Sequence, residues 1–352
     1  MSSSTSSSEQ ASSKQEHGAG PVLDAAAARR AAGFPWAFVA TVAALLALFL
    51  LTVFLLDPYD TGRSPLRLKE GVRMQGPRTA AASRGRDQAF NAAIFGNSHV
   101  QMLSPEELKA KTGLAFVSLI APASGPKETL TLIDWFLRHR REPARALVIG
   151  IDSYWCTADP TLPNERPFPY WLFSRNLAEY LSGLLRFDVF EEMNHRIRYL
   201  LAREPKRGRP DGYWDYSEGY EIQGALEDSG RQRLGKHFDS SGGNATGPFP
   251  AATALAAMLD TAPPELRLVL VRPPVYQSAL PAPGSAEPAA DAACRAPFQA
   301  LADKRPHTAM VDMRLDSPIT RDPANFYDHT HYRRNVARLV ESEIAAALAT
   351  LR

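Results

Sequence analysis

Residues 94–102 read IFGNSHVQM. A short apolar run, opened at Ala92, ends in Gly96 and Asn97, and a serine and a histidine follow side by side. Apolar runs of about 4–8 residues bounded by turn residues are what strands buried on both faces look like. The tight turn after such a strand exposes the hydroxyl of Ser98. In open parallel sheets, ligands sit outside the carboxyl ends of the strands, so the turn lies at the functional edge. A serine hydroxyl is a weak nucleophile at neutral pH. The placement has chemical meaning only with a base in hydrogen-bond reach and a carboxylate that orients the base. Alone, Ser98 is an ordinary turn or cap residue.

Runs of the same kind recur as AFVSLI (115–120), ALVIGI (146–151), LRLVLV (266–271) and AMVDM (309–313). Helical patterns lie between them. PEELKAKTG follows a capping Ser104, has Pro105 at its first position and stops at Gly113. KETLTLIDWFLRHR sets Leu130, Ile133 and Leu137 on one face. The last segment sets Val336, Val340, Ile344, Leu348 and Leu351 on one stripe. Strand–helix alternation predicts an α/β domain over 90–352 with a doubly wound, mostly parallel sheet. Residues 152–265 interrupt the alternation and are too long for a loop, which predicts a helical insertion or cap. Its aromatics Tyr154, Trp155, Tyr170 and Trp171 either stack on sugar rings or form the cap's own core.

The N-terminal MSSSTSSSEQASSKQEHGAG has no large apolar residue after Met1, which predicts a disordered cytoplasmic tail over 1–33. Trp36–Leu56 is then 21 residues without a charge. At about 1.5 Å per residue the run spans about 30 Å, the thickness of a bilayer's hydrocarbon core. A single transmembrane helix over 34–57 and a linker over 58–89 follow. The run is longer than a signal peptide's apolar core and ends in DPYD, not in a small-residue cleavage pattern. Arg29 and Arg30 precede it, and Arg63, Arg67, Lys69 and Arg73 follow it, so local basic residues do not favour the tail side. Large domains translocate largely regardless of charge. A signal-anchor plan therefore puts the N-terminus in the cytoplasm and the main domain outside the inner membrane, in the periplasm. On that oxidising side Cys156 and Cys294 are able to pair.

Composition narrows the chemistry. The chain is 45% hydrophobic and 22% charged, with a formal net charge of +2. No basic stripe interleaved with aromatics occurs, which argues against nucleic acid. The two cysteines sit in no CxxC or Cys/His cluster, so no structural zinc is expected. No metal or organic cofactor is implied. A base and an orienting acid stand late in the chain, in NFYDHTHYRRN (325–335), where Asp328 and His331 are three apart. His329 is the competing imidazole, and the Asp-x-x-His spacing favours His331.

Gly-x-Ser-His after the first strand, with Asp-x-x-His before the last helix, resembles the SGNH/GDSL hydrolase superfamily. The nearer likeness is to its membrane-anchored, exported branch, the proteins of alginate and cell-wall polymer O-acylation. The likeness covers roughly residues 90–350, with the middle insertion unmatched. It implies a flavodoxin-like sheet, Ser98 as nucleophile, and Asp328 and His331 as its partners. Asn97 stands where the family has the acid of Asp-Ser-His. In APASGPKE, Gly125 matches the family's glycine that donates its backbone N–H to the oxyanion. Gly150-Ile151-Asp152-Ser153 stands at the family's Gly-x-Asn-Asp, so Asp152 replaces a donating asparagine. An ionised aspartate cannot donate and repels an oxyanion, so either Ser124, Ser153 or the backbone donates instead, or Asp152 is held protonated, or the site is degenerate. Arg272 and Tyr276, in RPPVYQ after the fourth strand, and Asn325 are expected to line the pocket. His99 is expected to be structural, turned away from Ser98, and Lys127 to be solvated. The resemblance implies a serine enzyme that moves or removes an acetyl group on an extracytoplasmic polysaccharide, as O-acetyltransferase or esterase. A multi-spanning membrane acyltransferase is its expected partner. A second function class, a non-catalytic module that binds glycan or scaffolds an assembly, is favoured by Asn97 and Asp152.

Overall fold

The computed structural model of the protein describes residues 25–66, 68–71, 76–162, 166–203, 209–222 and 234–351. The tail expected over 1–24 lies outside them. Residues 25–33, also expected in that tail, instead open helix α1 (Ala25–Leu56). Alanine-rich sequence needs no amphipathic pattern to be helical, which is why the helix begins before the apolar run. Within α1, Gly33–Leu56 is long and apolar enough to cross a membrane, with a mean hydropathy of 2.8 over an 18-residue window. Length and composition fit a membrane span or a signal sequence.

The chain divides into two compact units, 1–51 and 52–352. In the second unit the last turn of α1 is built into the folded domain. Val53 is 0% exposed. The Phe54 ring meets the edge of Tyr180 at 6.5 Å. The Leu55 carbonyl accepts from the Ser64 hydroxyl at 2.7 Å, and the Leu56 carbonyl accepts from Arg196 Nε at 3.3 Å. The DPYD that follows is an anchoring knot. Asp57 accepts from the Thr61 and Gly62 N–H groups, and buried Asp60 accepts from Ser83, the Gly71 N–H and the Arg86 guanidinium. The linker expectation for 58–89 therefore fails. Residues Pro77–Arg86 form helix α2, whose Ala80, Ala81 and Ala82 are buried and whose Ala82 carbonyl accepts from Trp135 Nε1 at 2.9 Å.

Five strands form one parallel sheet: β1 (Ala92–Gly96), β2 (Phe116–Ile120), β3 (Ala146–Gly150), β4 (Arg267–Arg272) and β5 (Thr308–Asp312). All five lie where the apolar runs predict them, within a residue at each end. The order is β2-β1-β3-β4-β5. In this doubly wound order the winding reverses between β1 and β3, and that switch point opens a crevice at the carboxyl edge. Pairing is in step: Gly96 stands opposite Ile120, and Gly150 opposite Val271. The residues after β1, β2, β3 and β4 thus emerge on one rim.

Helices cover both faces. α3 (Pro105–Thr112) and the C-terminal α12 (Arg334–Thr350) pack on one. Glu341 of α12 is fully buried and accepts the Ser104 N–H at 2.7 Å, which ties the last helix to the N-cap of α3. α2 and α4 (Pro126–Arg138) cover the other face. The insertion holds α5 (Tyr170–Phe173), α6 (Leu177–Gly183), α7 (Phe187–Leu200), α8 (Ser217–Ile222) and α9 (Pro250–Leu259). It is shorter than 152–265, because α9 packs on α4 as an ordinary crossover helix. Trp155 and Trp171 are buried, so these two are core and not a sugar platform. α10 (Glu287–Lys304) packs on β5, and its Cys294 is disulfide-bonded to Cys156, with the Cα atoms 5.2 Å apart. A short helix α11 (Pro318–Arg321) precedes the loop that carries Asp328 and His331.

Candidate active site

The turn after β1 is made by two glycines. Gly96 has φ of +142°, which an L side chain rarely adopts, and a Cβ there would meet Val100 Cγ2 at 2.7 Å. A Cβ on Gly150 would meet the same Val100 side chain at 2.8 Å. With neither Cβ present, Val100 drops onto the ends of β1 and β3, and Ser98–Val100 closes into a 3-10 turn. Asn97 caps that turn: its Oδ1 accepts the His99 N–H at 3.1 Å, and its carbonyl accepts the Val100 N–H at 3.2 Å. Among the described residues the Ser98 N–H has no hydrogen-bond acceptor, while Asn97 takes up the other two donors of the turn.

The late loop reaches the same rim. Ser98 Oγ lies 2.8 Å from His331 Nε2. His331 Nδ1 lies 2.9 and 2.8 Å from the two oxygens of Asp328. Asp328 also accepts the N–H groups of Thr330 and His331, both at 2.9 Å, and the Tyr220 hydroxyl at 2.9 Å. Burial by itself raises the Asp328 pKa, but the hydrogen bond and charge of His331, the Thr330 N–H and the Tyr220 hydroxyl outweigh it. The carboxyl is held well below the usual carboxylate range. An ionised carboxylate only accepts, so the proton between Asp328 and His331 sits on Nδ1. Nε2 then presents its lone pair to the Ser98 hydroxyl, the tautomer a general base requires.

No protein-family model and no curated protein matches the chain. The chemistry is therefore read from the side chains alone. His329 takes no part in the relay: its ring stacks on Phe238 at 5.1 Å and its Nε2 lies 3.0 Å from the Lys236 carbonyl. Lys127 is exposed, over the Tyr170 ring at 4.9 Å.

Asn97 and Asp152 meet across the switch point. Asn97 Nδ2 donates to Asp152 Oδ2, and to the Ser124 carbonyl at 3.3 Å. Asp152 Oδ1 accepts the Tyr154 N–H at 3.0 Å, which caps the 3-10 turn Ser153–Cys156 that half-buried Ser153 opens. His99 Nδ1 lies 3.2 Å from Asp152 Oδ2. This corrects the reading of His99. Its ring sits beside the base, 5.3 Å from His331 centroid to centroid, because the 3-10 turn swings residue 99 back over the rim. Gly125 is also corrected. Its N–H donates to Glu128 Oε2 at 2.9 Å in a capping box, so it is not an idle oxyanion donor. The Ser124 hydroxyl, by contrast, is buried without a hydrogen-bond partner among the described residues. An unpaired buried hydroxyl next to a nucleophile turn is what a substrate oxygen would satisfy. The Ser98 N–H and the Ser124 hydroxyl are thus the candidate donors for an oxyanion at this rim.

Three expected lining residues serve the scaffold instead. Arg272 is buried and paired with Asp312 at 2.8 Å and with Asp291. Tyr276 packs on Phe326 at 5.7 Å, and its N–H donates to the His329 carbonyl at 2.8 Å, holding the histidine loop from behind. Asn325 donates to the Ile319 carbonyl at 3.0 Å and accepts from Asn335 at 2.7 Å. Strand order puts the Arg272 and Tyr276 backbones near the rim, but Asp291 and Asp312 hold the Arg272 side chain and Phe326 packs the Tyr276 ring.

The aromatic wall around the base was not anticipated. Tyr216 meets His331 edge-on at 5.5 Å, and Tyr220 stacks on Tyr327 at 4.5 Å. The Tyr216 hydroxyl donates to the Tyr332 carbonyl at 2.8 Å, pinning α8 to the histidine loop. Tyr220→Phe removes one donor to Asp328 and leaves the ring. A hydrogen bond to a charged group is worth about 1.5–3 kcal/mol, so kcat on an activated ester should fall about tenfold and Tm by a few degrees. An unaltered kcat would show that the hydroxyl does not support the base.

Proposed function

We propose that the protein is a membrane-anchored serine acyl-ester enzyme of SGNH type. It works outside the cytoplasmic membrane on the acetyl ester of a polysaccharide, as an O-acetyltransferase or esterase. The observation that carries the reading is the 2.8 Å approach of His331 Nε2 to Ser98 Oγ, made by segments 233 residues apart. Ser98 attacks the ester carbonyl and His331 takes the hydroxyl proton. Asp328 stabilises the imidazolium, and the Ser98 N–H and Ser124 hydroxyl face the oxyanion. The tetrahedral adduct expels the alcohol, which collects its proton from His331. A sugar hydroxyl or water then resolves the acyl-enzyme by the same steps in reverse. A multi-spanning acyltransferase is the partner that would supply acyl groups across the membrane.

Two observations support export with a retained anchor. The Cys156–Cys294 disulfide belongs to an oxidising compartment. Cleavage after the apolar run would remove buried Val53, worth about 1.5–3 kcal/mol of apolar burial, and the carbonyls that Ser64 and Arg196 hold. A third supports the family likeness. The departures at Asn97 and Asp152 touch each other: an amide at the expected acid position donates to an acid at the expected amide position, as a reciprocal exchange would have it. Asn97→Asp alone sets two buried carboxylates against each other and should lower Tm by several degrees. Adding Asp152→Asn should restore it; a double variant no more stable than the single would reject the exchange.

A second reading, a non-catalytic glycan-binding module, draws on the engaged Gly125 N–H and the Asp152 carboxylate at the rim. Full-length protein given p-nitrophenyl acetate and an oligosaccharide should release nitrophenol, with acetylated sugar as the second product of a transferase and free acetate as that of an esterase. Glycan binding without turnover would favour the module.

A further inference from the structure

α7 is apolar on two sides. Val189 and Tyr199 face inward and are buried. On the other side Phe187, Phe190, Ile197 and Leu201 share one face at intervals of three, seven and four residues, with exposed Asn194 as the one polar residue among them. At about 100° per residue they form one stripe about 80° wide and about 21 Å long. Phe187 is 90% exposed, Phe190 63% and Leu201 58%, and exposed Leu185 precedes them. Contiguous large apolar side chains on a surface mark a contact with something apolar.

The position of α7 says what that is. Arg196, on its inward face, holds the carbonyl of Leu56, the last residue of the apolar run, and Arg196 Nη1 also donates to the Gly71 carbonyl at 2.6 Å. The Tyr199 hydroxyl donates to the Glu70 carbonyl at 3.0 Å. α7 is thus fastened to the point where the chain leaves the hydrocarbon. We propose that the stripe Phe187–Phe190–Ile197–Leu201 beds in the headgroup region of the same membrane, so that the domain rests on the bilayer along α7. This rests on reading Gly33–Leu56 as a span. Asp188, Glu191 and Arg198 flank the stripe and Arg186 precedes it, so the charges are mixed. Apolar burial is then the driving term, and neutral lipid suffices.

The test uses full-length protein in phosphatidylcholine vesicles. Single Phe187→Cys, Ile197→Cys and Leu201→Cys variants carry an environment-sensitive fluorophore, with equally exposed Leu315→Cys after β5 as control. The native cysteines are disulfide-bonded and do not react. An interfacial helix sits about 5–10 Å deep, so lipid spin-labelled high on the acyl chain should quench the three α7 probes about twofold or more, and the control hardly at all. Probes left in water on a protein that resists alkaline carbonate extraction overturn the inference and spare the span. Shielding that rises with the protein-to-lipid ratio, without lipid quenching, assigns the stripe to a protein partner and overturns it too. Release by carbonate overturns both.

Discussion

Ser98→Ala is expected to abolish turnover of an acetyl ester, by about 10⁴-fold or more, while leaving Tm within a degree or two of the wild type. The hydroxyl is small and at the rim, so its loss opens no core cavity. Among the described residues its side-chain partner is His331 Nε2. His331→Ala should cost as much, because the serine then keeps its proton. The double variant should be no worse than either single, since nucleophile and base act as one unit. Asp328→Asn should be inactive for a different reason. The amide donates where the carboxylate accepts, which reverses the tautomer and turns Nε2 into a donor toward Ser98. Steady-state kinetics on the four variants, with Tm measured alongside, checks the set. Activity in Ser98→Ala comparable to wild type would remove the serine from the chemistry.

Loss of the disulfide is the second large effect. The bond joins residues 138 apart. Chain entropy alone would assign such a closure about 5 kcal/mol, and observed values centre on about 2–4 kcal/mol. The paired Cys156→Ser/Cys294→Ser variant, which leaves no lone thiol, should lose about 2–4 kcal/mol in urea unfolding. It should also lose activity below its unfolding midpoint. Cys156 ends the 3-10 turn that Asp152 caps, and Asp152 holds Asn97 beside the nucleophile. A variant with unchanged midpoint and unchanged kcat would show that the bond supports neither the fold nor the site.

The parts of this fold that were legible share one physical cause. A strand buried on both faces must be apolar throughout, so AAIFG, ALVIG and their companions announce themselves, and their succession with helices fixes a parallel sheet. Ser98, Asp328 and His331 could be joined on paper because strand order sends both segments to one rim. What stayed hidden is equally physical. α2 buries alanines, which make no amphipathic stripe, and so it read as linker. Arg272 is captured by Asp291 and Asp312, partners no local pattern announces. Tyr220 comes from the insertion, where no strand count says which edge it reaches. One signal was present and passed over: GPKE is a helix start with Glu128 three residues after Gly125, the pattern of a capping box, and it meant that the Gly125 N–H was already taken.

The central claim is that Ser98 is an activated nucleophile. Treatment of the full-length protein with a fluorophosphonate, followed by peptide mass mapping, tests it directly. The account predicts a single phosphonylated residue, Ser98, formed in wild type and not in His331→Ala. An adduct on another serine, or none in a folded, disulfide-bonded protein, would contradict it.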